Sequence, residues 1–385
     1  MKIIAIASIF IAASAAALLL KHLLNRPEAF ETAIHGEDVF IPQPRGIRVE
    51  AWVEGLEVPW SLIFLDEKTA LVSERPGRIR LIREGKLRET PYAELDVHHA
   101  GEGGLMGLAA HPRFPQKPFI YAMYTYREGG GTFNKVVKLQ AGEERASFAL
   151  TIIERIPGGR FHNGGRIAFG PNGFLYITTG EIFRADLAQD LNNLGGKVLR
   201  VDEDGNIPKD NPFPGSPVFT YGHRNPQGLA WHPETGTLFS SEHGPSGEFG
   251  LRAYDEINIL KPGRNYGWPE VVGIAGKQEY EDPLVVWPGH AVPPGGMTFR
   301  NNDLFVATLR SRALVRILLE RQRGHFAAKR IERWFAEDYD KGRYGRLRDV
   351  VKGPDGALYF LTSNRDGRGA PNPGDDKIYR ILFEK

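Results

Sequence analysis

The sequence predicts an all-β protein, a six-bladed β-propeller of four-stranded antiparallel blades, preceded by an N-terminal apolar helix. Three observations carry that expectation. One phrase returns six times: an apolar alternation, a Pro/Gly/Asp/Asn turn, and a second apolar alternation. The copies recur at intervals on the order of 40–70 residues, the length of a propeller blade. The chain also holds 45 glycines and 27 prolines, which suit many short strands joined by tight turns. Period-two alternation buries one face of a strand, and a D-G or N-G turn between two such runs closes a hairpin.

The elements follow in order. Residues 1–26 read as a signal peptide or membrane anchor: positions 3–20 are continuously apolar, flanked by Lys2 and by Lys21, His22 and Arg26. At about 1.5 Å per residue, such a helix nearly crosses a bilayer core of about 30 Å. Ala13-Ser14-Ala15 is a candidate cleavage site, but cutting there leaves Leu18, Leu19 and Leu20 on the mature end. Residues 27–45, polar and Pro-containing, read as a tether, and residues 46–385 as the catalytic propeller. The repeats begin at Trp60 (WSLIFLDEKTALVSERPGRIRLI), Leu105 (LMGLAAHPRFPQKPFIYAMYTY) and Arg166 (RIAFGPNGFLYITTGE). They continue from Gly228 (GLAWHPETGTLFSSEHG), Met297 (MTFRNNDLFVATLR) and Asp349 (DVVKGPDGALYFLTSN). A ring of blades closes by mixing first and last strands in one sheet, and IRVEAWV at 47–53 and the terminal KIYRILF are the candidates. Weak helical spacing appears at 314–321. Residues 181–220 and 243–290 are too long for simple hairpins, and long loops inside a compact domain are functional or disordered.

Composition removes several classes. A net charge of +2 argues against a duplex-binding surface, so no nucleic-acid partner is expected. With no cysteine, neither a disulfide framework nor a Cys-ligated metal is available. GEGGLMG neither follows a strand nor opens a helix, and no P-loop is present, so a nicotinamide cofactor is not expected.

A propeller carries its chemistry in loops around one end of the central channel. His162, in FHNGGRIAFGP just before a strand of the third repeat, suits a general base near neutral pH; the plain alternative is a turn histidine bonded to backbone. Glu181 ends the hairpin YITTGE, where a carboxylate meeting that imidazole would orient it and raise its basicity. Alone, it reads as a solvated loop acid. Arg224 and Asn225, in YGHRNPQGLAW, stand in the same register before the fourth repeat. An arginine there holds an anion or stabilises charge developing on oxygen, or else is an ordinary rim residue. SEHGPSGEFGLRAYDEINIL offers the carbonyls of Gly244 and Pro245 with Asp255 and Glu256 to a hard cation, without EF-hand spacing. Arg310 ends FVATLR, and Arg346 and Arg348 alternate in GRLRDV, so that pair shares a strand face. Three arginines converging on one mouth suggest a multiply anionic ligand, against the alternative of two arginines facing water.

In order from about Gly55 to the C-terminus, HNGGRIAFGP, GKVLRVDEDGNIPKDNPF, GHRNPQGLAW, SEHGP, DEINIL, RNYGWPEV and RLRDV resemble the soluble aldose and glucose dehydrogenases that depend on pyrroloquinoline quinone (PQQ), the glucose/sorbosone dehydrogenase family. The resemblance implies a six-bladed propeller using PQQ and Ca2+ as cofactors and oxidising the anomeric hydroxyl of aldose sugars to lactones by hydride transfer to the quinone. It implies that His162 is the base, that Arg224 stabilises the oxygen charge and that Glu181 supports the histidine. Asn225 would contact the quinone, Trp287 in VVWPGH would flank its plane, and Arg310, Arg346 and Arg348 would meet its three carboxylates, Arg310 standing where the family often has lysine. Gly244 and Pro245 would give carbonyl oxygens to the calcium beside the quinone, and Glu256 and Tyr266 would hold a further structural calcium.

Three departures accompany the resemblance. Glu102 stands where a glutamine commonly meets the quinone, and a carboxylate there repels it unless protonated or turned toward calcium. His243 replaces a polar amide, and the loop SGEFGLRAY is longer than in the glucose enzymes. The expected partners are an aldose sugar and an electron acceptor the sequence does not identify, with membrane contact only through the N-terminal segment and a monomeric or homodimeric state. The basic residues are denser after the apolar run, which by itself favours a cytoplasmic propeller. Family habit instead implies an extracytoplasmic location, periplasmic or on the outer face of the cytoplasmic membrane, and is preferred. Two other readings share the fold: a calcium-dependent lactonase or esterase, against which the arginines speak, and a non-enzymatic binding propeller. Fold alone does not separate them.

Overall fold

The computed structural model describes residues 28–29, 37–322 and 324–384. The expected apolar N-terminal helix lies outside the described residues. Six sheets of antiparallel strands form the blades, each built outward from a first strand at the channel. Those first strands are Pro59–Phe64, Leu105–Ala110, Ile167–Phe169, Pro226–Trp231, Pro294–Arg300 and Leu347–Lys352. Each opens one of the six repeats read from the sequence. The ring closes as the terminal segments suggest: Ile47–Val53 pairs antiparallel with Ile378–Phe383 as the outer strand of the sixth blade.

Apolar alternation becomes six seams between blades. Tyr121, Val136, Ile177 and Leu199 fill the seam between blades two and three, and Phe239, Ile257, Val306 and Val315 that between four and five. Burying each such side chain stabilises the fold by about 1.5–3 kcal/mol, so the seams, not any helix, hold the ring. At two glycines the first strands of neighbouring blades approach so closely that a side chain does not fit. A Cβ on Gly295 would lie 2.2 Å from the Arg348 carbonyl, and one on Gly107 2.3 Å from that of Gly165. Below the mouth a polar plug ties four blades together. The Arg166 guanidinium holds the buried Asp349 through Nη1 and Nη2 at 3.1 Å each, Ser61 Oγ at 3.2 Å and the Gln227 carbonyl at 3.1 Å.

Two expectations are corrected. Leu314–Gln322 is not helical but a strand, paired on one side with Asp303–Thr308 and on the other with His325–Trp334. Its Leu314, Val315 and Ile317 are buried on both faces, which blurs the period-two signal. The stretch 27–45 is not wholly free tether. Val39–Ile41 adds a parallel fifth strand beside Glu332–Trp334 in blade five, and the buried Asp38 carboxylate accepts from Arg333 Nη1 at 3.1 Å and Trp287 Nε1 at 3.0 Å.

Candidate active site

In an antiparallel blade the first strand starts, and the second ends, at the same face of the ring. His162, Arg224 and Arg346 precede first strands, while Glu181, His243 and Arg310 follow second strands, so the topology gathers them at one opening. A cavity of about 610 Å³ lies there, lined among others by Glu102, His162, Phe183, Arg224, Arg310 and Arg346. Arg348 sits deeper, in a small recess with Glu102, Gln227 and His243.

The buried His162 has a left-handed backbone, φ +54°. Its Nδ1 lies 2.5 Å from Oε1 of the buried Glu181. A carboxylate only accepts, so Nδ1 carries the hydrogen and Nε2 is the basic nitrogen of the ring. Glu181 is itself held, accepting the Phe183 N–H at 3.1 Å.

Glu102 turns one oxygen to the Arg368 Nη1 at 2.8 Å and the other to the His162 backbone N–H at 3.2 Å. Burial pushes its pKa up, but Arg368, His162 and His243 outweigh this and hold it at about 2. The carboxylate is therefore ionised and neutralised by Arg368. His243 goes the other way: burial, with Arg348, Arg224 and His162 adding to it against Glu102, pushes its pKa down to about 3. The neutral ring donates from Nε2 to the Pro294 carbonyl at 2.9 Å and turns Nδ1 to Asn225 Nδ2 at 3.5 Å.

Arg224 is not free. Its Nε donates to Glu248 Oε1 at 3.0 Å, Nη2 makes a second, shorter bond to the same oxygen, and Nη1 reaches the His243 carbonyl at 3.2 Å. Burial raises the Glu248 pKa, but Arg224 more than offsets this and holds it below the usual carboxylate range. Glu248 lies on the long loop noted in the sequence. Arg346 is clamped by Asp366 through Nε at 2.9 Å and Nη2 at 2.8 Å. Arg310 is exposed on the rim, 3.5 Å from Asp340. Arg348 donates from Nη1 to Gln227 at 2.7 Å, while its buried Nε has no partner. Burial, with Arg75 and Arg346 adding to it against Asp366 and Glu102, pushes its pKa down to about 9.

Gly244 and Pro245 line the cavity beside Asp255. The Pro245 carbonyl accepts the Ala253 N–H at 3.0 Å, and Asp255 Oδ1 accepts the Gly244 N–H at 3.0 Å. Burial raises the Asp255 pKa to about 6, against the backbone donors Gly244 and Val292 and the Arg224 charge. An adjoining recess holds Glu256 and Tyr266 together with Glu242. Glu242 and Glu256 share the Asn258 Nδ2, at 3.4 and 3.2 Å. Burial and then the Glu242 charge push the Glu256 pKa well up, and the buried Asn258 Oδ1 has no partner. Two crowded carboxylates are oxygen donors of the kind a hard cation takes, and Asn258 turns its Nδ2 rather than its oxygen to them. The Tyr266 hydroxyl is not part of that set: it donates to the Ile259 carbonyl at 2.7 Å and accepts the Lys261 N–H at 3.0 Å.

One expected quinone contact lies elsewhere: Trp287 is packed in the seam between blades four and five with its Nε1 on Asp38. Asn225 is fully buried against Gly164, Gln227 and His243, which line the recess of Arg348, its Oδ1 accepting Gly164 N–H at 3.0 Å and Gln227 Nε2 at 3.2 Å.

Sequence reasoning missed Glu248, Glu242, Asp366, Arg368, Phe183 and Arg75. Arg75 was within reach, because SERPG in the first repeat parallels SEHGP in the fourth. The hydroxyls of Ser73 and Ser241 make the same contact, each donating to a carbonyl of the next blade's first strand, at 2.6 Å to Met106 and 2.7 Å to Gly295. Arg75 thus holds in blade one the position His243 holds in blade four, with its buried Nε unpartnered.

A sequence profile of the family described as Glucose / Sorbosone dehydrogenase matches residues 56–379. The chain is 32% identical over 360 residues to "Aldose sugar dehydrogenase YliI" of Escherichia coli K12, covering 84% of this chain and 92% of that protein. Among solved structures, the PQQ-bound aldose sugar dehydrogenase of Streptomyces coelicolor is 38% identical, with a TM-score of 0.79 over 89% of this chain and 99% of its own. A Thermus thermophilus protein provisionally named a glucose dehydrogenase is 53% identical, with a TM-score of 0.82 over 88% and 100%.

Proposed function

The chain belongs to the glucose/sorbosone dehydrogenase family, and from that membership we propose that it is an oxidoreductase that takes the anomeric hydroxyl of an aldose to the lactone, with PQQ and calcium as cofactors. The observation that carries this reading is the His162–Glu181 pair opening onto the same cavity as Arg224, Arg310 and Arg346.

The residues present fit both groups. Arg348, in the recess beside the cavity, keeps a buried guanidinium nitrogen without a partner. Buried charge is costly unless paired, so this cradle favours a ligand carrying several carboxylates. Arg310, Arg346 and Arg348 would hold it, and the carbonyls of Gly244 and Pro245 with Asp255 suit a calcium ion at its edge. Glu242 and Glu256 suit a second, structural calcium. Bound there, the quinone would supply the two-electron acceptor for the hydride, with calcium as the Lewis acid beside it.

The chain's own residues supply the rest. His162 Nε2 takes the hydroxyl proton, and Glu181, fixed on Nδ1–H, keeps the tautomer and stabilises the imidazolium that forms. Arg224 lends positive charge beside the reacting oxygen, moderated by Glu248. The carboxylate of Glu102 is spent on Arg368, which lessens its repulsion of an anionic ligand. A lactonase would need acids and asparagines around the central channel, whereas here cations line the mouth and the Arg166–Asp349 pair fills the axis below it. An extracytoplasmic location belongs to the same proposal.

The test is reconstitution. Metal-stripped protein is loaded with calcium and PQQ, and dye reduction is followed with glucose and other aldoses. Aldose-dependent reduction is expected; none, with the fold intact, overturns the assignment.

A further inference from the structure

Between the second and third strands of blade three, Leu175–Thr179 and Lys197–Val201, runs the loop 180–196 that carries Glu181 to His162. Lys197, the residue that ends this loop, is fully buried and is not among the residues lining the cavity. A buried lysine is ordinarily paired with a carboxylate. Lys197 bonds to backbone instead. Its Nζ donates to the carbonyls of Leu187 at 2.7 Å, Ala188 at 3.0 Å and Gly195 at 2.7 Å, which uses every hydrogen of an ammonium. Burial pushes its pKa down to about 7, with the Asp190 charge opposing, so the cage holds its cation at a cost. An apolar side chain of the same length would fill the space without that cost, so bulk does not account for a lysine here. Three carbonyl oxygens converging on one point repel one another, and a cation between them turns that repulsion into attraction.

The caged carbonyls lead directly to the base. Leu187 donates its N–H to the Arg184 carbonyl at 3.0 Å, and Arg184 donates its own to the Glu181 carbonyl at 2.8 Å. Glu181 in turn donates its N–H to the Arg224 carbonyl at 2.9 Å. On the other side, the Ala188 carbonyl also accepts the Gly222 N–H at 2.9 Å, and the Gly196 carbonyl accepts the His223 N–H at 3.2 Å, just ahead of Arg224. We propose that Lys197 is a positioning residue: its ammonium is the internal cation about which the loop 180–196 closes, and through Leu187, Arg184 and Glu181 it holds His162 in the tautomer that leaves Nε2 basic. The inference rests on the reading of His162 as the base and adds a residue away from the cavity on which that base depends.

The test is imidazole NMR on protein carrying 15N-labelled histidine, read without quinone or calcium. The parent is expected to show a downfield, slowly exchanging Nδ1–H signal that disappears in His162→Gln; no such signal in the parent overturns the inference. In Lys197→Met, of similar length but without donors, that proton is expected to exchange at least about tenfold faster well below the melting temperature. Lys197→Gln keeps two N–H donors on a stem one atom shorter and leaves at least one carbonyl unmet. It is expected to speed exchange at least about threefold, and it carries the test if the methionine variant does not fold. Parent-like exchange in either folded variant, even with a lowered melting temperature, makes Lys197 merely structural and overturns the inference. Failure of the oxidoreductase reading shows separately, as no dye reduction by the parent with glucose.

Discussion

His162 in blade three and Arg224 in blade four stand just before the first strands of neighbouring blades, and each is gripped by a carboxylate. The carboxylates differ in origin. Glu181 comes from the end of the second strand of blade three and is almost fully buried, so the imidazole is oriented by scaffold and keeps Nε2 available. Glu248 comes from the long loop after the second strand of blade four and is partly exposed, and it takes up the very guanidinium that would face an anionic ligand. A buried carboxylate can position a base permanently, whereas a loop carboxylate can neutralise a cation in a way that a ligand can compete with. One pair reads as catalytic geometry, the other as an adjustable charge.

The comparison breaks first at His162. His162→Ala is expected to lower turnover by about 10²–10⁴-fold while quinone still binds, read by dye reduction and by absorbance titration. Unaltered turnover puts the base elsewhere. Next in size, losing both Arg346 and Arg348 to alanine is expected to weaken quinone binding by about 3–6 kcal/mol, taking about 1.5–3 kcal/mol for each charge-assisted contact. An unchanged titration curve means the two do not face the ligand. Glu181→Gln, which keeps shape but removes the charge behind the imidazole, is expected to cost about 10–100-fold in kcat with little change in KM. Equal losses in both would make Glu181 merely structural.

Glu248→Gln sharpens the contrast. It is expected to tighten quinone binding by about a few-fold, because Arg224 regains its full charge, while kcat falls as the guanidinium loses its anchor. Unchanged binding means that Glu248 already leaves Arg224 when the ligand enters. The smallest effect concerns Glu102. Its pKa is depressed in the folded protein to about 2, so the stability it contributes is present above the ordinary carboxylate value of 4.5 and is lost as pH falls through about 2. The melting temperature of Glu102→Gln should therefore fall less steeply over that window than that of the parent, and parallel curves would show that Arg368 does not hold the carboxylate.

Much of this was legible because a propeller repeats. Once six copies of a hairpin phrase are aligned, positions before first strands and after second strands are known to share a face, which is how His162, Glu181, Arg224 and Arg310 could be singled out. Arg75 carries the same signal, since SERPG in the first repeat corresponds to SEHGP in the fourth. Trp287 illustrates the opposite case. It sits in a stretch that resembles a family motif, but whether its side chain turns to the cavity or to the seam between blades depends on a neighbour remote in sequence, Asp38. The N-terminal stretch is similar. Nothing local marks Val39–Ile41 as a strand, and it becomes one because the edge of blade five offers unpaired backbone groups.

By itself the sequence determined the blade count, the closing strands and the chemical character of the mouth, because alternation and turn chemistry are local and repeat number simply counts. Tertiary structure alone decided which charges cancel. Glu102 with Arg368, Arg224 with Glu248 and Glu242 beside Glu256 are each joined by folding. The physical reason is that electrostatic energy depends on distance and burial, and both are set by where the ring brings distant loops together, not by spacing along the chain.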